Sequence, residues 1–336
     1  MVYRSPSRPA RIRALVWSKV SQELKAFRGL QELSPLTLDT LHGSMWGLNH
    51  RYKTLSQAME EDSQRILDYS LQRIQDLMEE EDFTFIQRPS SRCRIGFGTY
   101  GWKYGPEVIR IAIEHGCLID TAEGYGYGRV EDSLGQLLTG SEEVATKVRR
   151  DHMSPEAIKN AVTRSRRKLG LIPHVQLHFP NNDYPMAIKS LSILRSRGYV
   201  RSIGLGNCSV DMVESAQRFL SDYSGDVIRS VQVRYNLSDR RIEGALLPYC
   251  RKRGILVLAY SPLGQDFRQF MRPALEQVAE KHECSPAAIA LAWILMHKGI
   301  MPIPRTNNPK HLLANLRAED IELDSIDMQK LEHAFQ

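Results

Sequence analysis

The chain has 336 residues, of which 42% are hydrophobic and 25% are charged, a composition typical of a folded globular protein. Its longest apolar run, residues 287–296, is too short to cross a bilayer, and its five cysteines have neither metal-site spacing nor the even number of a disulfide scaffold. The net charge of +6 includes basic clusters at 164–168 and 251–253. Both clusters lie in amphipathic helical patterns, so we expect solvent-exposed faces and no nucleic-acid partner. The scattered cysteines favour a reducing compartment, and we expect a cytoplasmic protein without a membrane partner.

Residues 1–90 differ from the rest of the chain and predict a helical N-terminal extension. An apolar stripe recurs at helical spacing through Leu55, Met59, Ile66, Ile74 and Leu77. We expect this stripe to cover the barrel proposed below, with a protein partner as the alternative. The first 22 residues contain five basic residues and no acid, which weakly resembles an organellar targeting segment. We prefer to interpret them as the basic face of a packed helix.

From residue 91 to residue 336 the sequence alternates short β-rich runs with helical patterns. Serines 154, 209 and 285 have the character of helix N-caps, and glycines 116, 170, 198 and 254 follow predicted helix ends. The eight candidate strands are RIGFG at 94, CLID at 117, EEVATK at 142, HVQLHF at 174, VRSIGLG at 200, SVQVRY at 230, ILVLAY at 255 and IMPIPR at 300. Eight such units predict an α/β fold, a (β/α)8 TIM barrel. A doubly wound open sheet is the alternative, but no G-x-G-x-x-G follows an early strand in the required context.

Four titratable residues lie at or just after the ends of predicted strands. Asp120 ends the second strand and Tyr125 follows in its loop, Lys147 ends the third strand, and His178 ends the fourth. Functional side chains of a (β/α)8 barrel gather at the C-terminal ends of its strands. We therefore expect these four residues to converge on one site.

This constellation closely resembles the aldo-keto reductases. The matching segments, in family order, are GFGTYGW, IDTAEGYG, ATKV, QLHFP, IGLGNCS, VQVRYNLSDRR, GILVLAYSPLG and PIPRTNNPKHLLAN. The resemblance covers residues 94 to 334 and implies a barrel that binds NADP(H) without a Rossmann domain. It also implies the reduction of an aldehyde or ketone, the small-molecule substrate, to an alcohol.

The resemblance implies a role for each catalytic residue. Hydride transfer from C4 of the nicotinamide builds negative charge on the carbonyl oxygen, and Tyr125 would supply the proton that this oxygen needs. Lys147 would favour the phenolate left behind, Asp120 would hold Lys147, and His178 would orient the carbonyl oxygen.

For the cofactor, the matching positions imply that the amides of Asn207 and Gln232 hold the carboxamide and that Tyr260 stacks on the nicotinamide. Ser261 and Leu263 lie in the turn that the family uses for the pyrophosphate. The remaining expected cofactor contacts are Gly98, Thr99, Tyr100, Arg305, Thr306, His311 and Asn315, and the expected walls of the substrate pocket are Tyr100 and Phe179.

Two departures from the family pattern modify these expectations. Arg305 favours NADP over NAD because a guanidinium matches a 2′-phosphate, but Ala314 replaces a glutamate that accepts from adenine in relatives. The loop after Gly264 is short, so we expect a site that is open on that side. A regulatory or scaffolding subunit with slow or vestigial reductase activity is the alternative function, with residues 1–90 as its partner-binding surface.

Overall fold

A computed structural model describes residues 93–103, 105–267 and 271–335. The predicted helical extension at 1–90 lies outside the described residues. Within the described ranges, no helix combines the length and the apolar character that a membrane crossing requires.

The described chain contains one sheet of eight parallel strands, whose spatial order is their order in the sequence. Each predicted strand is confirmed, and so is the (β/α)8 class. The strands are β1 (Phe97–Gly98), β2 (Ile119–Asp120), β3 (Val144–Val148), β4 (His174–Leu177), β5 (Ile203–Gly206), β6 (Ile228–Arg234), β7 (Leu256–Tyr260) and β8 (Ile300–Pro302).

Backbone hydrogen bonds close the sheet into a barrel. The amides of Gly96 and Gly98 donate to the carbonyl oxygens of Pro302 and Pro304, each over 2.9 Å, so the first strand pairs with the extension of the last. Glycine is needed at position 96 because a Cβ there would lie 2.6 Å from Cγ2 of Ile303. This seam places the loop after β1 beside the loop after β8.

Ten α-helices of the described chain follow or join the strands. They are α1 (Pro106–Glu114), α2 (Arg129–Gly135), α3 (Pro155–Leu169), α4 (Tyr184–Ser196), α5 (Val210–Ser224), α6 (Leu246–Arg253), α7 (Pro273–Lys281), α8 (Pro286–Leu295), α9 (Pro309–Leu316) and α10 (Ser325–Ala334). The predicted N-caps are confirmed, since the hydroxyls of Ser154, Ser209 and Ser285 accept from backbone amides one turn into α3, α5 and α8. The four predicted C-terminal glycines all have positive φ.

Side chains alternate in direction along each strand, and this alternation separates two apolar layers. A large cluster lies between the strands and the helices, and a smaller one fills the barrel interior. The interior cluster consists of Leu118, Ala145, Leu256, Leu258, Met301 and Ile303, with Tyr260 packed against it. Side chains two residues apart face the same way, so Asp120, Lys147 and Tyr260 continue this interior face toward the C-terminal ends of their strands.

Candidate active site

A buried ion pair lies at the centre of the site. Nζ of Lys147 donates to Oδ1 and Oδ2 of Asp120 over 2.7 and 2.8 Å, and to the carbonyl oxygen of Thr121 over 2.7 Å. The side chains of Lys147 and Asp120 are 0% and 5% exposed. Burial lowers the pKa of Lys147, while the carboxylate opposes this shift. Because an unpaired ammonium at this depth would be very costly, the pair fixes the position of Nζ.

Tyr125 meets this ammonium from the loop after β2. Its hydroxyl oxygen accepts a long hydrogen bond of 3.4 Å from Nζ of Lys147. Tyr125 begins a tight turn, Tyr125–Gly128, in which Gly126 and Tyr127 have positive φ. Since the oxygen accepts from Lys147, the phenolic proton is left for another acceptor on the open side.

The acidity of Tyr125 differs from the expectation that the ammonium would favour the phenolate. Burial, and then the charge of Asp120, raise the pKa of Tyr125 above its ordinary value. These effects outweigh the cation in this structure. The phenol therefore keeps its proton at neutral pH until negative charge develops beside it.

His178 completes the predicted group of four. Its ring centroid lies 5.9 Å from that of Tyr125, and burial together with the Lys147 charge lowers its pKa to about 4. The imidazole is therefore neutral near pH 7, with one N–H to donate. The structure thus brings Asp120, Tyr125, Lys147 and His178 together.

Two aromatic side chains pack against Tyr125 and His178. The ring of Tyr100 packs edge-on against Tyr125 at 5.3 Å, and Phe179 stacks on His178 at 4.8 Å. Tyr100 is 69% exposed and Phe179 is 46% exposed, so both rings border solvent on one side. Aromatic rings are a common lining of small-molecule sites.

The residues expected to hold the nicotinamide carboxamide already form hydrogen bonds within the protein. Nδ2 of Asn207 donates to the carbonyl oxygen of His178 over 2.9 Å, and Oδ1 of Asn207 accepts from the Tyr260 hydroxyl over 2.8 Å. Nε2 of Gln232 donates to Oδ1 of Asp120 over 2.6 Å. Gln232 is thereby tied to the Asp120–Lys147 pair, a connection that the sequence did not indicate.

Backbone strain marks the same end of the barrel. Asn207 and Ser261 have φ of 51° and 49°, a left-handed conformation that residues other than glycine adopt infrequently. Asn207 lies close against β4, because a Cβ on the preceding Gly206 would lie only 2.8 Å from the carbonyl oxygen of His178. Strain of this kind clusters at sites that a ligand uses.

The next expected cofactor contacts are the residues at the end of β1 and in the turn after β7. Gly98 ends β1, and the Thr99 hydroxyl donates to the carbonyl oxygen of Asp120 over 2.9 Å. Ser261 and Leu263 are half-buried in the turn after β7. Thr99 therefore positions the Asp120 backbone in this structure.

The expected adenosine-binding residues surround α9. Arg305 and His311 are exposed, whereas Asn315 is buried on the inner side of that helix. Thr306 accepts from the amide of Asn308 over 3.0 Å, and Asn308 caps α9. The structure therefore presents Arg305 and His311 to solvent and holds Asn315 away from it.

Glu123 is a site residue that the sequence analysis missed. Its carboxylate accepts from the amide of Arg149 over 2.8 Å, from Nδ1 of His152 over 2.9 Å and from Nη2 of Arg164 over 3.0 Å. Glu123 therefore fastens the loop that carries Tyr125 to the loop after β3 and to α3. The signal in the sequence was an acid two residues before Tyr125, but its basic partners are distant along the chain.

The chain is similar to known proteins over residues 94–335. The model of the Aldo/keto reductase family matches residues 94–335. Methylglyoxal reductase YeaE of Escherichia coli is 31% identical over 240 residues, covering 68% of this chain and 83% of that protein. An NADH-specific methylglyoxal reductase of the same organism is 27% identical over 306 residues, covering 70% and 92%.

Solved structures give the same picture of the fold. An aldo/keto reductase from Klebsiella pneumoniae in complex with NADP and acetate has a TM-score of 0.67 and 28% identity, covering 72% of this chain and 91% of that one. A second structure from that organism, in complex with NADPH, has a TM-score of 0.66 and 26% identity, covering 72% and 90%.

Proposed function

Because the chain belongs to the aldo/keto reductase family of NAD(P)-dependent oxidoreductases, we propose that it reduces an aldehyde or ketone to an alcohol with NADPH and a proton from Tyr125. The observation that carries this proposal is the hydroxyl of Tyr125, 3.4 Å from a buried ammonium and beside a neutral His178. This group can donate a proton at one point of an open, aromatic-walled site.

Two features of the described residues fit a nicotinamide cofactor. Asn207 and Ser261 hold strained backbone conformations at the two positions where the family contacts its cofactor. Tyr260 lies half-buried between them at the end of β7 and presents an aromatic ring at the open end of the interior. Asn207, Gln232 and Tyr260 would hold the nicotinamide, and the turn at Ser261 would receive the pyrophosphate.

Each of the four central residues has a distinct part in the proposed reaction. The bound cofactor supplies a hydride to the carbonyl carbon. The N–H of neutral His178 holds the carbonyl oxygen, and the phenol of Tyr125 gives its proton to that oxygen as charge develops. Lys147 then stabilises the phenolate by its charge, and Asp120 with Gln232 keeps Lys147 in place.

For the nucleotide, we favour NADPH on the basis of Arg305. Its exposed guanidinium lies after β8, and it approaches the loop after β1 so closely that a Cβ on Gly101 would be 3.3 Å from its Nη1. A guanidinium binds a phosphate monoester through paired hydrogen bonds. The solved relatives that contain NADP or NADPH support this choice, and the NADH-specific relative makes NADH the required comparison.

For the substrate, we favour small, reactive aldehydes such as 2-oxoaldehydes. Two relatives are named methylglyoxal reductases. The rings of Tyr100 and Phe179 are partly exposed beside Tyr125 and His178, and we propose that they form the walls of a site for compact carbonyl compounds.

The test is a screen of the purified full chain against carbonyl compounds, with methylglyoxal among them and with NADPH and NADH supplied in parallel. Consumption of nucleotide is followed by absorbance, and the alcohol is identified by mass spectrometry. With nucleotide deuterated at C4 of the nicotinamide, we expect an alcohol product that carries one deuterium on the former carbonyl carbon. Nucleotide binding without alcohol formation from any carbonyl compound would contradict the proposal.

A further inference from the structure

Arg234 is the last residue of β6 and lies at the open end of the barrel interior. All earlier residues of the strand are buried, and Arg234 is half-buried. Gln232, two positions earlier, faces the interior, because its amide donates to Asp120. Since side chains two residues apart on a strand share a face, Arg234 projects from the same side, above the Asp120–Gln232 contact.

The guanidinium of Arg234 lies within electrostatic range of the Asp239 carboxylate but forms no close ion pair in the part of the chain that the structure describes. Its Nε is buried without a hydrogen-bond partner. The acid Asp239 is already held by two hydrogen bonds of 2.8 Å from Arg241. The neighbouring Arg240 likewise has a carboxylate partner in Glu243.

A buried guanidinium nitrogen without a hydrogen-bond partner is costly for a folded protein. The ring of Tyr260 also lies near this cation, with its centroid 5.8 Å from Cζ of Arg234. Buried polar atoms without partners are uncommon, and a bound ion is one way to satisfy them. The unsatisfied Nε of a half-buried guanidinium therefore favours an anionic ligand at the end of β6.

We propose that Arg234 binds the pyrophosphate of the nicotinamide dinucleotide, an inference that rests on the proposed function. Arg234 pairs in register with Tyr260, the residue before the strained Ser261. Nδ2 of Asn236 fixes that turn by donating to the carbonyl oxygen of Ser261 over 2.9 Å. A guanidinium and a fixed turn together form a site for a diphosphate, which a guanidinium binds in a bidentate manner.

A substrate carboxylate is the competing anion, and the position of Arg234 argues against it. The rings proposed to line the substrate site are those of Tyr100 and Phe179. They contact Tyr125 and His178, which follow β2 and β4. Arg234 instead lies beside Tyr260 at the ends of β6 and β7. It is therefore on the side of the site that we assign to the cofactor.

The pyrophosphate is common to NADPH and NADH, whereas the 2′-phosphate proposed for Arg305 is present only in NADPH. The test compares Arg234→Met with the matched variant Arg305→Met by titrating each with NADPH, NADH and ADP-ribose. We expect Arg234→Met to weaken all three ligands by about tenfold to a hundredfold. Arg305→Met should weaken NADPH alone, and Arg234→Lys should retain part of the affinity.

A second readout uses the ligand-free protein. Because Arg234→Met removes a buried Nε that has no hydrogen-bond partner, its melting temperature without ligand should equal or exceed that of the wild type. A marked drop in melting temperature together with weaker binding would assign Arg234 a structural role and overturn the proposal.

Other outcomes separate the proposal from the function on which it rests. If the wild type binds the nucleotides and Arg234→Met binds them with the same affinity, the proposed role of Arg234 is overturned and the reductase proposal stands. Unchanged nucleotide affinity with a raised KM only for carbonyl compounds that carry a carboxylate would assign Arg234 to the substrate. A wild-type protein that binds no dinucleotide would overturn both.

Discussion

At the scale of single residues, burial determines the protonation states of the side chains in the site. Burial lowers the pKa of His178 to about 4 and raises that of Tyr125, so both side chains are neutral near pH 7. Both are therefore hydrogen-bond donors when a carbonyl oxygen arrives. The buried ammonium of Lys147 and the carboxylate of Asp120 compensate each other's charge.

The lowered pKa of His178 predicts a contribution to acid sensitivity. The unfolded chain, with an ordinary imidazole pKa of 6.5, binds this proton more readily than the folded chain does. Stability is therefore retained above about pH 6.5 and decreases as the pH falls toward about 4. We expect the unfolding free energy of His178→Gln, measured by urea titration, to decrease less than that of the wild type between about pH 7 and about pH 5. Parallel losses in the two proteins would contradict the assigned pKa.

The four central residues could be predicted because each lies at or near the end of a strand that its own sequence pattern identifies. The bond from Gln232 to Asp120 could not, because it depends on the register of β6 relative to β2 across the barrel. The upward shift of the Tyr125 pKa was also missed. It depends on how completely the folded site excludes water, which a sequence pattern does not give.

At the scale of elements, the loop after β2 has to hold Tyr125 at a fixed distance from Lys147. Glu123 does this with three donors from the loop after β3 and from α3, and its side chain is only 6% exposed. Replacing its carboxylate by an amide would turn an N–H group toward groups that themselves donate. The loop that carries Tyr125 would then lose hydrogen bonds that hold it to the loop after β3 and to α3.

We expect Glu123→Gln to lower kcat while leaving the dissociation constant of NADPH nearly unchanged, since the cofactor residues lie on other strands. Because the donors to Glu123 are partly exposed to water, the loss of unfolding free energy should be about 0.5–1.5 kcal/mol. Steady-state kinetics and denaturant titration measure the two effects.

The control is Asp151→Asn, in the loop after β3. This substitution removes the ion pair between Asp151 and Arg149, whose side chains are 59% and 51% exposed, respectively. Ion pairs this exposed contribute little to stability. Equal effects of the two substitutions, or a wild-type kcat in Glu123→Gln, would show that the loop does not depend on Glu123.

At the scale of the whole molecule, the site exists because the barrel closes. The seam between β1 and β8 brings Thr99, which donates to the backbone of Asp120, next to the segment that carries Arg305. The sequence predicted eight strands and their order, because each strand is a local pattern. It did not predict how tightly the seam packs, which depends on the approach of Gly96 to Ile303.

Gly96→Ala tests the seam. The added methyl group would lie 2.6 Å from Ile303 and 3.2 Å from the Leu118 carbonyl oxygen, so we expect a loss of about 1–3 kcal/mol through overpacking. Gly244→Ala is the control, because a Cβ there would have no neighbour within 4 Å. Equal melting temperatures for the two variants would show that the seam tolerates the added volume.

The central claim is that Tyr125 gives the proton in a carbonyl reduction. It is tested most directly by Tyr125→Phe, which removes one oxygen and preserves the ring, in a single-turnover reaction of the NADPH-loaded protein with excess methylglyoxal. We predict that the rate of NADPH oxidation falls by about a hundredfold to ten-thousandfold, while the dissociation constant of NADPH is unchanged. A variant that oxidises NADPH at the wild-type rate would contradict the account.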